Sequence, residues 1–411
     1  MREMKDSGIE WIGEIPKHWK IKKPKYIGSI RSGDSVTNKK LNDDIGYEVL
    51  GGNGTIGFYD KYNVDGTHII IGRVGALCGN SRITRGKKFI SDNALIYTCF
   101  EGQSENYINY IFDAFNLNKL NTSNAQPLIT GSKVLNIFIP YPYIIEQKII
   151  ADFLDSKCSE IDATAEDIQK EISLLEEYKK SVITEAVTKG LNPDAEMKNS
   201  GIEWIGEIPK HWKVLRIKNV GEYRNGLTYK PTDLTDENTG TLVLRSSNIQ
   251  DGKISLNDNV YVSTFVRSDL KVKKGDILIC SRNGSRELVG KNAIIEDLKD
   301  VTFGAFMMIF RCNSPKYLYY ILNSKVFFYY LGSFFTSTIN QLTGSNFGNM
   351  KIVYVSDKLE QSKIVSYLDS KCSEIDSLIA DKKRQLDILA DYKKSLIYEY
   401  VTGKKEVPVN E

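Results

Sequence analysis

One phrase in this chain occurs twice. Residues 4–20 read MKDSGIEWIGEIPKHWK and residues 197–213 read MKNSGIEWIGEIPKHWK, differing only at Asp6 against Asn199 and lying 193 positions apart. A second phrase repeats with a spacing of 214. Glu146-Gln147, the run from Leu154 to Asp162 (LDSKCSEID) and Tyr178-Lys179-Lys180-Ser181 return as Glu360-Gln361, Leu368 to Asp376 and Tyr392-Lys393-Lys394-Ser395. The two spacings differ by 21 residues, so the stretch between the repeated phrases is longer in the second half by that amount. Internal repetition on this scale sets the architecture before any local reading begins. The order is motif, variable domain, helix, and then the same again. The repeated parts are nearly identical and the stretches between them share little, so the unlike stretches do different jobs of one kind.

The segment 146–188 has the spacing of one long helix. Leu154, Ile161, Ile168, Leu175 and Val182 recur every seven residues, and Cys158, Ala165, Ile172, Lys179 and Ala186 form a companion row. This is a heptad seam with one charged interruption. Gly190 and Pro193 mark its stop. The segment 360–402 matches, with Leu368, Ile375, Lys382, Leu389 and Leu396 in one row and Cys372, Ile379, Leu386, Lys393 and Tyr400 in the other, ended by Gly403. Each helix is expected to span roughly 60–65 Å. Two narrow seams of similar length are expected to pack on each other, the alternative being that each lies on its own domain or on a partner protein. The pattern does not fix their direction, although a long intervening domain permits an antiparallel pair.

The segments expected are therefore 1–143 (motif plus first variable domain), 144–190 (central helix), 191–357 (linker, motif and second variable domain), 358–404 (C-terminal helix) and 405–411 (tail). Both variable stretches read as mixed α/β. His68–Ile71, Ala94–Tyr97 and Asp276–Ile279 are β-rich runs set among Gly, Asn and Asp turns, and helices are expected near 105–120 and 315–331. Charge follows the same division. Residues 21–143 carry 14 Lys and Arg against 10 Asp and Glu, residues 214–357 carry 18 against 13, and the helix at 144–190 carries 6 against 11. Basic variable domains suit a phosphate-bearing partner, although the net formal charge of the whole chain is only +3.

Several runs carry letters of catalytic signatures without the context those signatures need. Gly52-Asn53-Gly54-Thr55-Ile56-Gly57 fits a dinucleotide fingerprint in letters. The next residues, Phe58-Tyr59-Asp60-Lys61, do not open a helix, so a turn between strands is expected. The run Gly284 to Asn292 has the wrong glycine spacing for a phosphate loop and lacks its Ser/Thr. Pro193-Asp194-Ala195-Glu196 reads as a linker, and Pro140-Tyr141-Pro142-Tyr143 lacks the Asn/Asp-Pro-Pro-aromatic order of amino-methyltransferases. The six cysteines form no C-x-x-C pair and there are only three histidines, so no metal ligand set is expected. The first residues, Met1 to Asp6, lack the apolar core of a signal peptide, and no run of 18 apolar residues occurs. A cytoplasmic protein is expected.

Taken together, Gly8-Ile9-Glu10-Trp11-Ile12-Gly13-Glu14-Ile15-Pro16-Lys17-His18-Trp19, its copy from Gly201 to Trp212 and the two Glu-Gln…Leu-Asp…Ile-Asp helices resemble the specificity subunits of type I restriction-modification systems. Gly51-Gly52-Asn53-Gly54, Ile71-Gly72-Arg73-Val74-Gly75 and Ser91-Asp92-Asn93-Ala94 look like one class of target recognition domain. Leu244-Arg245-Ser246-Ser247-Asn248-Ile249, Gly275-Asp276-Ile277-Leu278 and Asn340-Gln341-Leu342-Thr343-Gly344 look like another. The resemblance covers essentially the whole chain. It implies an α+β fold: two mixed α/β target recognition domains separated by two long helices in an antiparallel coiled coil, with an internal pseudo-two-fold repeat. It also implies that each domain reads one half of an asymmetric bipartite DNA site and that the helices set the spacer. Two methyltransferase subunits would dock on such a chain, and ATP-driven restriction subunits would join them. S-adenosylmethionine, ATP and Mg would then belong to those partners, with no cofactor or catalytic site on this chain. The rival reading is a coiled-coil adaptor that binds only proteins.

Base edges are read by Arg, Lys, Asn, Gln, Ser and Thr on loops. The expected DNA-binding residues are Asn53, Arg73, Asn80, Arg82, Arg85 and Asn93 in the first domain. In the second they are Arg245, Asn248, Arg282, Asn283, Arg286, Gln341 and Ser345. Trp11, Trp19, Trp204 and Trp212 lie in the duplicated motif and are expected to be structural anchors rather than stacking platforms.

Overall fold

The computed structural model describes residues 2–37, 41–75, 77–121, 127–334 and 340–408. Two compact units are present, Met1–Gln169 with Lys383–Glu411, and Lys170–Lys382. Each contains one motif, one variable domain and part of both long helices.

In chain order the first half runs β1 (Met4–Asp6), β2 (Glu14–Pro16), β3 (Lys20–Lys22), β4 (Gly28–Ser32), β5 (Tyr47–Gly51), β6 (Gly54–Tyr59), β7 (His68–Gly72), β8 (Ser81–Thr84), β9 (Phe89–Ile90), β10 (Ala94–Cys99), α1 (Glu105–Phe115), α2 (Gly131–Asn136), β11 (Ile139–Tyr141) and the long helix α3 (Ile144–Lys189). The second half runs β12 (Met197–Asn199), β13 (Glu207–Pro209), β14 (Lys213–Arg216), β15 (Gly221–Asn225), β16 (Leu234–Thr235), β17 (Thr241–Leu244), β18 (Ile249–Gln250), β19 (Lys253–Ile254), β20 (Tyr261–Val262), β21 (Ile277–Cys280), β22 (Asn292–Ile294), β23 (Thr302–Phe303), β24 (Met307–Cys312), α4 (Pro315–Leu322), α5 (Lys325–Ser333), α6 (Gly344–Asn349), β25 (Lys351–Tyr354) and α7 (Lys358–Val401).

The two variable domains share one frame despite their unlike sequences. An antiparallel sheet has the order β4-β10-β7-β8 in the first and β15-β24-β21-β22 in the second. Beside it, β5 pairs in parallel with β9, and β17 pairs in parallel with β23. The central strands β7 and β21 are almost wholly buried, which explains why His68–Ile71 and Asp276–Ile279 read as unbroken apolar runs rather than alternating ones. One face of the first sheet buries Ile69, Ile71, Leu95 and Tyr97 against Tyr107, Ile108, Ile111 and Phe112 of α1. The second buries Ile277, Ile279, Met308 and Phe310 against Tyr317, Leu318 and Phe347. Helix α1 starts because the Ser104 side chain accepts the Tyr107 amide, and it stops where Asn116 turns left-handed at φ 56°.

The helix expected across 315–331 is broken in two. Asn323 ends α4, donating from its side chain to the Tyr319 carbonyl (2.8 Å) and to Asn292 (2.9 Å), and Ser324 donates back to the Ile321 carbonyl (2.6 Å). These side-chain bonds compete with continuation of the helix.

The heptad rows are the seams of the two long helices: none of their twenty positions is exposed. Within the first unit α3 and α7 run antiparallel, with the rings of Phe153 and Tyr400 4.6 Å apart and Lys393 Nζ donating to Asp162 at 2.7 Å. Within the second unit Lys179 Nζ donates to Asp376 at 2.6 Å, and Lys382 Nζ meets Glu171 at 2.5 Å. Lys179 and Lys393 are repeat equivalents, as are Asp162 and Asp376. One charge pair is therefore used twice, and each lysine that interrupts a seam meets an acid of the facing helix.

The duplicated motif joins helix ends. In the first unit Trp19 is fully buried against Gly403, just beyond the end of α7, and His18 pairs with Glu146 at the start of α3 (3.0 Å). In the second unit Trp212 is fully buried beside Gly190, just beyond the end of α3, and His211 pairs with Glu360 at the start of α7 (2.9 Å). Trp11 donates to the Phe138 carbonyl (3.1 Å), and Trp204 stacks on Tyr329 with ring centroids 4.8 Å apart. These tryptophans anchor structure.

Candidate nucleic-acid interface

The loops that carry most of the expected readers gather at one end of each sheet. In the first domain Gly52-Asn53 is the tip of the β5–β6 hairpin, as the glycine pattern required. A side chain at Gly52 would lie 3.1 Å from the Asn93 carbonyl and 3.5 Å from Gly72 Cα. The bare backbone there lets the tip close onto the sheet end. Arg73 follows β7 and donates its amide to the Asn93 carbonyl at 3.0 Å, while Gly72 donates to the Asn80 carbonyl at 2.9 Å. Asn53, Arg73, Asn80 and Asn93 thus come from neighbouring loops to one place. Asn53, Asn80 and Asn93 are exposed, and the Arg73 guanidinium donates to Ser32 Oγ at 3.3 Å.

Two expected readers of this domain do other work. Arg82 turns inward and donates to the carbonyls of Gly51 and Gly52, so it holds the hairpin tip. Burial lowers its pKa from the usual arginine value, against the opposing pull of Glu48. Arg85 lies at the opposite end of the sheet, because the antiparallel register sets Thr84 beside His68 and Ser81 beside Ile71. It donates to Asn106 at 3.2 Å.

In the second domain the equivalent end is a cleft of about 870 Å³. Arg245, Ser246 and Ser247 line it from the loop after β17, Arg282, Asn283 and Gly284 from the loop after β21, and Phe306 from the turn before β24. Tyr229 and Asn340 complete the rim. The Arg245 guanidinium donates to Asp258 at 2.8 Å. Asn283 donates to Ser246 Oγ at 3.3 Å, and Asn340 donates to the Gly284 carbonyl at 3.1 Å. Gln341 pairs through its backbone with Arg282, and the next amide, Leu342, bonds the Ser281 carbonyl at 2.7 Å.

Three more of the expected residues lie outside the cleft lining. Asn248 is fully buried: its Oδ1 accepts the Arg245 amide at 2.9 Å, and its Nδ2 donates to the Ser255 and Asp258 carbonyls at 3.0 and 3.2 Å. Its amide is spent on backbone groups and shapes the loop. Arg286 is exposed but reaches the Gly332 carbonyl at 3.3 Å, beyond the cleft lining. Ser345 sits exposed on α6, also outside that lining. Phe306 and Tyr229, by contrast, line the cleft and carried no signal in the sequence. Phe306 adjoins the apolar run of β24 and reads there as one more core residue.

The chemistry present is hydrogen-bond donation, positive charge and an aromatic surface. Among the described residues no cluster of three or more His, Cys, Asp or Glu could hold a metal ion. No helix among them is long and apolar enough to cross a membrane.

A family model described as "Type I restriction modification DNA specificity domain" matches residues 16–174 and again 209–387. The chain belongs to the type I restriction-modification specificity family. It carries two copies of the family's domain, and each match takes in a variable domain together with most of the long helix after it. It is 25% identical to the type I restriction enzyme MjaVIII specificity subunit of Methanocaldococcus jannaschii, covering 99% of this chain and 95% of that one. It is 27% identical to the EcoKI specificity subunit of Escherichia coli K12 over 48% of this chain and 44% of that one. A solved structure described as "Structural basis underlying complex assembly and conformational transition of the type I R-M system" has the same fold, with a TM-score of 0.67 at 15% identity over 95% of this chain and 99% of that one. The family's specificity domain is thus built twice here, with different residues at the same sheet end.

Proposed function

We propose that this chain is the non-catalytic, sequence-reading subunit of a type I restriction-modification complex in the cytoplasm. Each target recognition domain reads one half of an asymmetric bipartite site on double-stranded DNA. The long helices fix the spacer and dock two methyltransferase subunits, and restriction subunits complete the assembly. S-adenosylmethionine, ATP and Mg are bound by those partners and not by this chain.

The observation that carries this reading is one frame presenting two different arrangements of arginine and asparagine. At the equivalent sheet end the first domain offers Asn53, Arg73, Asn80 and Asn93, and the second offers Arg245, Arg282, Asn283 and Asn340. These are the side chains that pair with purine edges and phosphates. Unlike sets on like frames favour an asymmetric target over a palindrome.

The test is a map of methylated adenines in cells expressing the system, before and after residues 21–143 are exchanged for the corresponding segment of a relative. Only one half of the methylated sequence should change. A change in both halves contradicts the assignment of one domain to one half-site. Absence of salt-sensitive DNA binding by the assembled protein would favour the protein-only adaptor instead.

A further inference from the structure

We propose that Phe306 and Arg282 form a two-residue reader in the second domain, the Phe306 ring meeting the 5-methyl group of a thymine in the major groove and Arg282 donating to the guanine of the adjacent base pair. The inference rests on the chain being a DNA-specificity subunit.

Phe306 is 58% exposed at the cleft, yet its backbone is held firmly, because its carbonyl accepts the amides of Ser281 (2.9 Å) and Arg282 (3.1 Å). An apolar ring held on a fixed support at a cleft can meet an apolar group of whatever enters it. Arg282 is fixed on both sides, by that carbonyl and by the backbone bridge to Gln341. Its guanidinium lies 5.2 Å from the centre of the Phe306 ring. Among the described residues it has no carboxylate partner, whereas Arg245 is paired with Asp258 and Arg224 with Asp269. Arg282 therefore keeps its donors available while the ring orients it.

The chemistry selects the occupant. Thymine alone among the four bases presents a methyl group in the major groove, and guanine presents the O6 and N7 acceptors that match the arginine fork. A ring and a guanidinium 5.2 Å apart suit neighbouring base pairs, which rise by about 3.4 Å per step. The first domain supplies independent support. The amide following β7 (Arg73) bonds the Asn93 carbonyl, as the amide following β21 (Ser281) bonds that of Phe306, so Asn93 and Phe306 occupy the same place in the repeated frame. Asn is the side chain that pairs with adenine. One position thus holds a polar reader in one domain and an apolar reader in the other.

The test uses the full-length chain in its methylating complex and duplexes carrying the site defined by methylation mapping. Each thymine of the second half-site is replaced in turn by deoxyuridine, which removes only the methyl group, and dissociation constants are measured by fluorescence anisotropy. One position should weaken binding by about threefold to tenfold. That loss should vanish in Phe306→Ala and persist in Phe306→Leu, which keeps an apolar side chain. Replacement of the neighbouring guanine by 7-deazaguanine should weaken binding by about fivefold or more and cost nothing further in Arg282→Ala. The proposal is overturned if every thymine tolerates the change while the cognate duplex is still preferred, or if the loss survives in Phe306→Ala. Should the wild-type complex not distinguish cognate from scrambled DNA, the specificity reading itself fails and takes this proposal with it.

Discussion

Single residues in this protein divide sharply into those that build loops and those that face out from them, and the division does not follow residue type. Arg82 and Arg282 are both arginines at the sheet end; one is spent on carbonyls and the other stands over an exposed ring. Asn93 is exposed and Asn248 is fully buried. The costliest single change should be loss of the cation that pairs with Asp276, a carboxylate only 1% exposed at its side chain that accepts two bonds of 2.7 Å from Arg311 and the Lys273 amide at 2.8 Å. Arg311→Met leaves that carboxylate buried without its cation and should cost about 3–5 kcal/mol in denaturant unfolding. Adding Asp276→Asn should restore much of the loss, and a single variant as stable as wild type would contradict this account. The thiols give a second residue-scale prediction. Burial raises the pKa of all six, with Cys372 pushed up to about 11 and Cys99 to about 12. A raised thiol pKa keeps the neutral, unreactive form at about pH 8. Native protein should consume almost no Ellman's reagent at that pH, and unfolded protein should consume six equivalents. Rapid native labelling would refute the burial argument.

At the scale of elements, the long helices depend on their stops and on their facing charges. Gly403 has φ +74°, and a methyl group there would lie 2.5 Å from Pro16 Cδ and 3.0 Å from Trp19. Gly190 has φ +76°, but its nearest contact would be Trp212 at 3.2 Å. Gly403→Ala should therefore cost about 2–4 kcal/mol, backbone strain plus overpacking, and Gly190→Ala about 1–2 kcal/mol. Equal thermal shifts for the two would show that packing against Pro16 and Trp19 matters little. The seam lysines make a smaller and more specific contribution. Lys179→Asp sets two acids face to face at Asp376 and should destabilise by up to about 1 kcal/mol, since the pair is partly exposed. The double exchange Lys179→Asp with Asp376→Lys should recover most of that loss, and failure to recover would mean the pair does not hold the register.

For the whole molecule, the two-fold repeat of α3 and α7 supplies a rule for changing the target. Inserting one heptad into α3 and the matching heptad into α7 keeps both seams in phase. The methylated half-sites should keep their sequences and change the number of bases between them, as read by methylation mapping. An unchanged spacer would defeat the idea that helix length sets it. The division into motif, variable domain and helix was legible without coordinates because repetition and heptad spacing are periodic, and periodicity survives in one dimension. The strand runs at His68, Ala94 and Asp276 were legible because short apolar stretches between turn residues stand out in one dimension too. Antiparallel pairing of the helices was implied by the family resemblance but not fixed by the heptad spacing, which leaves direction open. It emerges in the contacts Asp162–Lys393 and Lys179–Asp376, which join residues 231 and 197 positions apart.

The sequence by itself determined that the chain is a duplicated scaffold with two unlike inserts, and it supplied the loops that hold most of the reader candidates. Tertiary structure decided which side chains those loops present. Whether an arginine is a clamp or a reader depends on the carbonyls within its reach, and whether a phenylalanine is core or surface depends on which side of a strand end its ring emerges. Register, turn geometry and long-range hydrogen bonds set both outcomes. They turned Arg82 and Asn248 inward, carried Arg85 to the far end of the sheet and left Phe306 facing out beside Arg282.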